Sequence, residues 1–122
     1  TPRPALTSIS VRRSGASVLA SASLTLRGTH LSGQAVREDG DRERAIALAT
    51  LDALRPLLPE AVDVESTQVI AIPGRRIAVT VVEFPDESQP YQVLVGSALV
   101  RGDVEDALAR SVLSALNRRL NV

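Results

Sequence analysis

Residues 34–58 read QAVREDGDRERAIALATLDALRPLL, and residues 96–120 read GSALVRGDVEDALARSVLSALNRRL. Each stretch is a strand end, a Gly-Asp step, then a run of alanines and leucines at helical spacing. Asp41 and Asp103 each follow a glycine and precede the periodic run, which is the position of a helix N-cap. A shift of sixty-two positions lays Ala45 on Ala107, Ala47 on Ala109, Leu51 on Leu113, Leu54 on Leu116 and Leu58 on Leu120. Ala47, Leu51, Leu54 and Leu58 form one stripe of the first helix, and Ala109, Leu113, Leu116 and Leu120 repeat it in the second. The chain therefore states one helical module twice.

The strands ahead of each helix repeat as well. Val18, Ala20, Ala22 and Leu24 alternate with Leu19, Ser21, Ser23 and Thr25, and Ile77, Val79 and Val81 alternate with Ala78, Thr80 and Val82. Ser14-Gly15 and Pro73-Gly74 are turn signals within hairpins. Gly15 matches Gly74 fifty-nine positions on, and Val18 then matches Ile77. The connection PDESQP (residues 85–90), longer than RGTH (residues 27–30), accounts for the change of offset.

Each half thus reads strand, strand, strand, helix. The expected strands are 6–13, 17–27 and 31–38, then 62–72, 75–84 and 91–101, with helices over 42–58 and 104–120. The fold class is α+β: an internally duplicated β-β-β-α module with antiparallel sheets, a helix on one face of each, and a pseudo-twofold relation between the halves. The chain of 122 residues is expected to form a single domain from repeats 6–58 and 62–120. Residues 1–5 read as a linker, so a domain upstream in a longer polypeptide is expected. YQVLVGSALVR (residues 91–101) is apolar on both faces. One helix covers only one of them, so the other meets the sister half or a second chain, and a homodimer is a natural partner.

The helix DVEDALARSVLSALNRRL (residues 103–120), with its Asp103 cap, Ala107 and the Ala115-Leu116-Asn117 step, resembles the C-terminal regulatory domain of 2-isopropylmalate synthase and its citramalate synthase relatives. SASLTLRGTHLSGQAV (residues 21–36) is similar to that family's first hairpin. The resemblance implies two strand-rich halves, each closed by a helix, and a regulatory role behind a catalytic domain. The family enters its first helix through Gly-x-Gly-Pro where this chain has REDGDRER. No effector-binding residue is carried over.

Composition narrows the chemistry. Hydrophobic residues make up 44% and charged residues 23%, the formal net charge is zero, and no apolar run reaches the ~20 residues of a membrane span. A neutral chain has no general attraction for nucleic acid or anionic membranes. A three-strand-plus-helix unit is also the core of double-stranded RNA-binding domains, but those need a basic footprint. Cysteine is absent, which suits a reducing cytoplasm and removes thiolate chemistry. All fourteen basic residues are arginine, so no lysine is present for a Schiff base or a phosphate loop.

His30, the one histidine, has no orienting carboxylate identifiable in the sequence. Glu38, Asp39 and Asp41 lack the alternation of a calcium loop and read as turn and cap. No cofactor, metal or catalytic residue is expected. The function these readings suggest is a non-catalytic regulatory or oligomerisation domain sensing a small anionic metabolite or amino acid. A purely structural protein–protein module is the alternative. Gly40, Asp41, Gly102 and Asp103 offer helix-start N–H groups to a ligand. Among three arginine pairs, Arg12-Arg13 and Arg75-Arg76 flank the equivalent hairpin turns as anion-binding candidates; the third is Arg118-Arg119.

Overall fold

The computed structural model describes residues 3–87 and 89–121. Thr1 and Pro2 of the expected linker, and Ser88 of the second connection, lie outside the described residues. The order is β1 (Ala5–Ser14), β2 (Ser17–Leu26), β3 (Thr29–Arg37), α1 (Arg42–Leu54), β4 (Asp63–Ile72), β5 (Arg75–Asp86), β6 (Gln89–Leu99) and α2 (Val104–Leu116). The duplicated β-β-β-α reading is what the structure has. β1-β2-β3 form one antiparallel sheet and β4-β5-β6 another, with β2 and β5 central. Pro4 is buried, and β1 begins at the next residue.

Each helix packs on its own sheet and also touches the first strand of the other half. Eight of the thirteen residues of each helix are buried, so the helices lie between the sheets. Both core clusters draw on both halves. Ala45, Ile46 and Ala49 meet Ala107, Leu108 and Ala109 near the helix starts, where small side chains let the backbones approach. Leu51, Leu54, Val112 and Leu116 fill the space toward the helix ends; burial of a leucine contributes roughly 1.5–3 kcal/mol.

The helices stop earlier than their apolar stripes. In α1, Pro56 lacks an N–H and disfavours helical backbone before it, so the chain leaves through one 3-10 turn, Arg55–Leu57. α2 stops at Leu116 with Asn117 as C-cap. Leu58 and Leu120 therefore join the core from outside the helices, packed against its leucine-rich cluster.

The strand register corrects the expected match of Val18 with Ile77. Gly33 pairs with Ala22, and Gly96 pairs with Thr80. Both glycines lie under a helix: a Cβ on Gly33 would run into the backbone of Ala49, Asp52 and Ala53, and one on Gly96 into that of Ser111 and Ala115. Ala22 is thus the counterpart of Thr80, Ala20 of Ala78, and the true offset of the middle strands is fifty-eight. The cause is turn chemistry. Ser14 pairs with Ser17 and Ile72 with Arg75, so the left-handed glycine stands first in one two-residue loop (Gly15, φ 60°) and second in the other (Gly74, φ 76°).

A slip of one residue exchanges the faces of a strand. Ala78, Thr80 and Val82 therefore point to the core, as do Val18, Ala20, Ala22 and Leu24, while Ile77, Val79 and Val81 point outward. The duplication extends to an irregularity between Leu6 and Ser8 in β1, repeated between Val64 and Ser66 in β4.

Candidate functional site

The helix starts come together at one end of the molecule. Arg42, the first residue of α1, forms an ion pair with Glu105 at the start of α2. Asp41 Oδ1 accepts from the Arg44 N–H at 3.0 Å, and Asp103 Oδ1 from the Asp106 N–H at 2.8 Å. Both predicted aspartates are thus N-caps, and each occupies one of the donors a ligand would use. Glu43, Glu105 and Asp106 add negative charge to the same turns, which opposes an anion there.

The loop before α1 is closed by its own charges. Arg37 Nη2 donates to Asp39 Oδ2 at 2.8 Å, and the Asp41 N–H donates to Asp39 Oδ1 at 3.0 Å. These two hydrogen bonds hold the Asp39 carboxyl below the usual carboxylate range, and the bond to Asp39 raises Arg37. Gly40 takes φ 77° and lies against the first hairpin; a Cβ added there would be 2.9 Å from Ala16 O and 3.6 Å from Arg13 Nη1. Arg13 is therefore brought to Gly40. Arg12 pairs with Leu19 and belongs to the opposite face of β1.

The second half is more open at this end. Arg75, Arg76, Leu99, Val100, Arg101 and Gly102 line a cleft of about 590 Å³. The structure joins predicted residues Arg75 and Arg76 to Gly102, and adds Arg101, which sequence reasoning had not selected. Arg101 follows β6, which pairs with β5, so the pairing brings it to the cleft beside Arg75. The guanidinium groups of Arg75, Arg76 and Arg101 make no ion pair or hydrogen bond among the described residues. A second groove runs along α2, where Arg3, Asn117, Arg118 and Arg119 surround about 560 Å³. Arg119 there stacks over Phe84 at 5.6 Å from the ring centroid.

The outer faces of the two sheets differ most. On the first, the cross-strand rows are Ser8-Ser23-Ser32 and Ser10-Ser21-Gln34, with Leu19 and Val36 the apolar exceptions. On the second, the rows Ile70-Ile77-Leu99 and Ser66-Val81-Val95 are mostly branched aliphatic. Val95 is 62% exposed, Val93 49% and Ile72 46%. β6 is an edge strand whose outer face is uncovered by the sister half.

No protein-family model and no curated protein matches this chain. No helix among the described residues is long and apolar enough to cross a membrane.

Proposed function

We propose that this chain is a non-catalytic regulatory and oligomerisation domain of a cytoplasmic protein, assembling as a homodimer. The observation that carries the reading is the apolar outer face of the second sheet, in a molecule whose first sheet presents serines at the equivalent place. Exposed apolar surface of that extent marks association sites. The likeness of the α2 segment to the regulatory domains of 2-isopropylmalate synthases agrees with this role. The regulatory part of the reading is that a small anionic metabolite or amino acid enters the cleft of Arg75, Arg76 and Arg101, whose guanidinium groups suit a carboxylate or phosphate.

Thermal unfolding of the purified chain over a wide concentration range tests the assembly. A midpoint that rises with protein concentration is expected, because dimerisation stabilises by mass action. A midpoint independent of concentration, together with a monomer mass, contradicts it. The same assay with leucine, keto acids, nucleotides and a short RNA duplex tests sensing. Stabilisation by one small anion supports the cleft, stabilisation by the duplex alone overturns it in favour of nucleic-acid binding, and no shift leaves a purely structural module.

A further inference from the structure

The outer face of the second sheet is electrically polarised along its strands. On β5 the outward residues run Arg75, Ile77, Val79, Val81, Glu83. Arg101 follows β6 at the Arg75 end, and Asp63 pairs with Glu83 at the other. Between the two ends every outward position is aliphatic, serine or glutamine. The face is therefore basic at one end, acidic at the other and mainly apolar in the middle, with Val79 at its centre.

We infer that this face is an isologous dimer interface on which a second copy of the chain lies antiparallel, its strands reversed about a twofold axis at Val79. The inference deepens the oligomerisation reading and rests on it. A twofold axis in the plane of the interface has two simple settings. Parallel to the strands, it sets Arg75 on Arg75 and Glu83 on Glu83, and both contacts repel. Perpendicular to them, it sets Arg75 on Glu83 of the second copy at both ends, and lays Leu99 on Val95 of the second copy between them. Charge selects the second setting, since like-charge juxtaposition is costly at an interface whereas opposite charges fix register.

The dimensions fit. Three strands about 4.8 Å apart and eleven residues long at about 3.3 Å each offer a flat footprint of roughly 500 Å². Side-chain relief raises the accessible area toward the ~800 Å² per partner of a standard interface. Aligned sheet-on-sheet packing is an ordinary way to bury such a face. It also sets the Glu83 carboxylate of the second copy opposite Arg75, which makes no ion pair among the described residues. Arg76 is on the other face of β5, away from this interface.

The test is a charge exchange read by sedimentation equilibrium. Glu83→Arg is expected to weaken the dimer at least tenfold, and Arg75→Glu added to it to restore the dimer. Because the chain has no cysteine, Val79→Cys supplies an independent readout, a disulfide between copies under mild oxidation. A wild-type chain that stays monomeric refutes the oligomerisation reading and this interface with it. A wild-type dimer that tolerates Glu83→Arg, or that the double exchange fails to rescue while circular dichroism shows a native fold, refutes the antiparallel arrangement alone.

Discussion

The two halves of this molecule agree inside and disagree outside. Toward the helices they share a fifty-eight-residue offset in the first two strands, a bulge at the same place, and a glycine under each helix. They share a hydrogen bond as well: the Gln34 N–H donates to Asp52 Oδ2 at 2.9 Å, and the Ser97 N–H donates to Ser114 Oγ at 3.2 Å. Toward solvent one sheet shows serines and the other valines and isoleucines. A duplicated core fixes which residue types fit beneath a helix, because interiors are close-packed. The outer faces are under no such constraint, and there the two halves diverge.

The largest expected effect probes the shared interior. Gly33→Ala and Gly96→Ala should each cost on the order of 3 kcal/mol through overpacking against helix backbone, with similar losses in the two halves by urea unfolding. A large loss at one glycine and none at the other would break the equivalence.

One interior difference refines it. Thr80 Oγ1 and Ser111 Oγ lie 2.6 Å apart, both buried, at the positions where the first half has Ala22 and Ala49. Ser111 also donates to Leu108 O, and Thr80 shares a hydrogen bond with Thr67. The polar pair thus replaces an apolar one. Thr80→Val and Ser111→Ala should each cost about 1 kcal/mol, and the double variant less than their sum, since removing both partners leaves fewer unmet groups.

The caps come next. Asp41→Ala and Asp103→Ala should each lose about 1 kcal/mol, with the ligand response unchanged if they act only as caps.

The smallest effect concerns pH. The depressed Asp39 carboxyl favours the folded loop above its unfolded value, and that contribution is lost as pH falls through the lower folded value. Asp39→Asn should therefore melt slightly below the wild type at neutral pH, and the two should converge in acid. A gap that persists in acid would mean that Asp39 acts by something other than its charge.

Much of this was legible in the residues. Capped helices after Gly-Asp, alternating strands and turn glycines set out the duplicated module, and its halves follow directly. What escaped was a matter of single positions. Aligning Gly15 on Gly74 misplaced β5 by one residue, because glycine serves different positions in the two turns. That slip hid the apolar outer face, since it set Ile77 in the place of the buried Val18. Gly33 and Gly96 lie sixty-three apart, a shift that neither the fifty-eight of the first two strands nor the sixty-two of the helices supplies, so no single shift paired them. At the candidate site, Arg75, Arg76 and Gly102 were chosen from the sequence and do converge. Arg101 needed the pairing of β5 with β6, which local pattern does not supply.

The central claim is that the outer faces differ because one of them is an interface. Ser32 and Val95 stand at equivalent outward positions beside Gly33 and Gly96. The most direct measurement is sedimentation equilibrium of Ser32→Glu and Val95→Glu beside the wild type. The account predicts that Ser32→Glu remains a dimer, while Val95→Glu is a folded monomer. Equal behaviour of the two variants would contradict it.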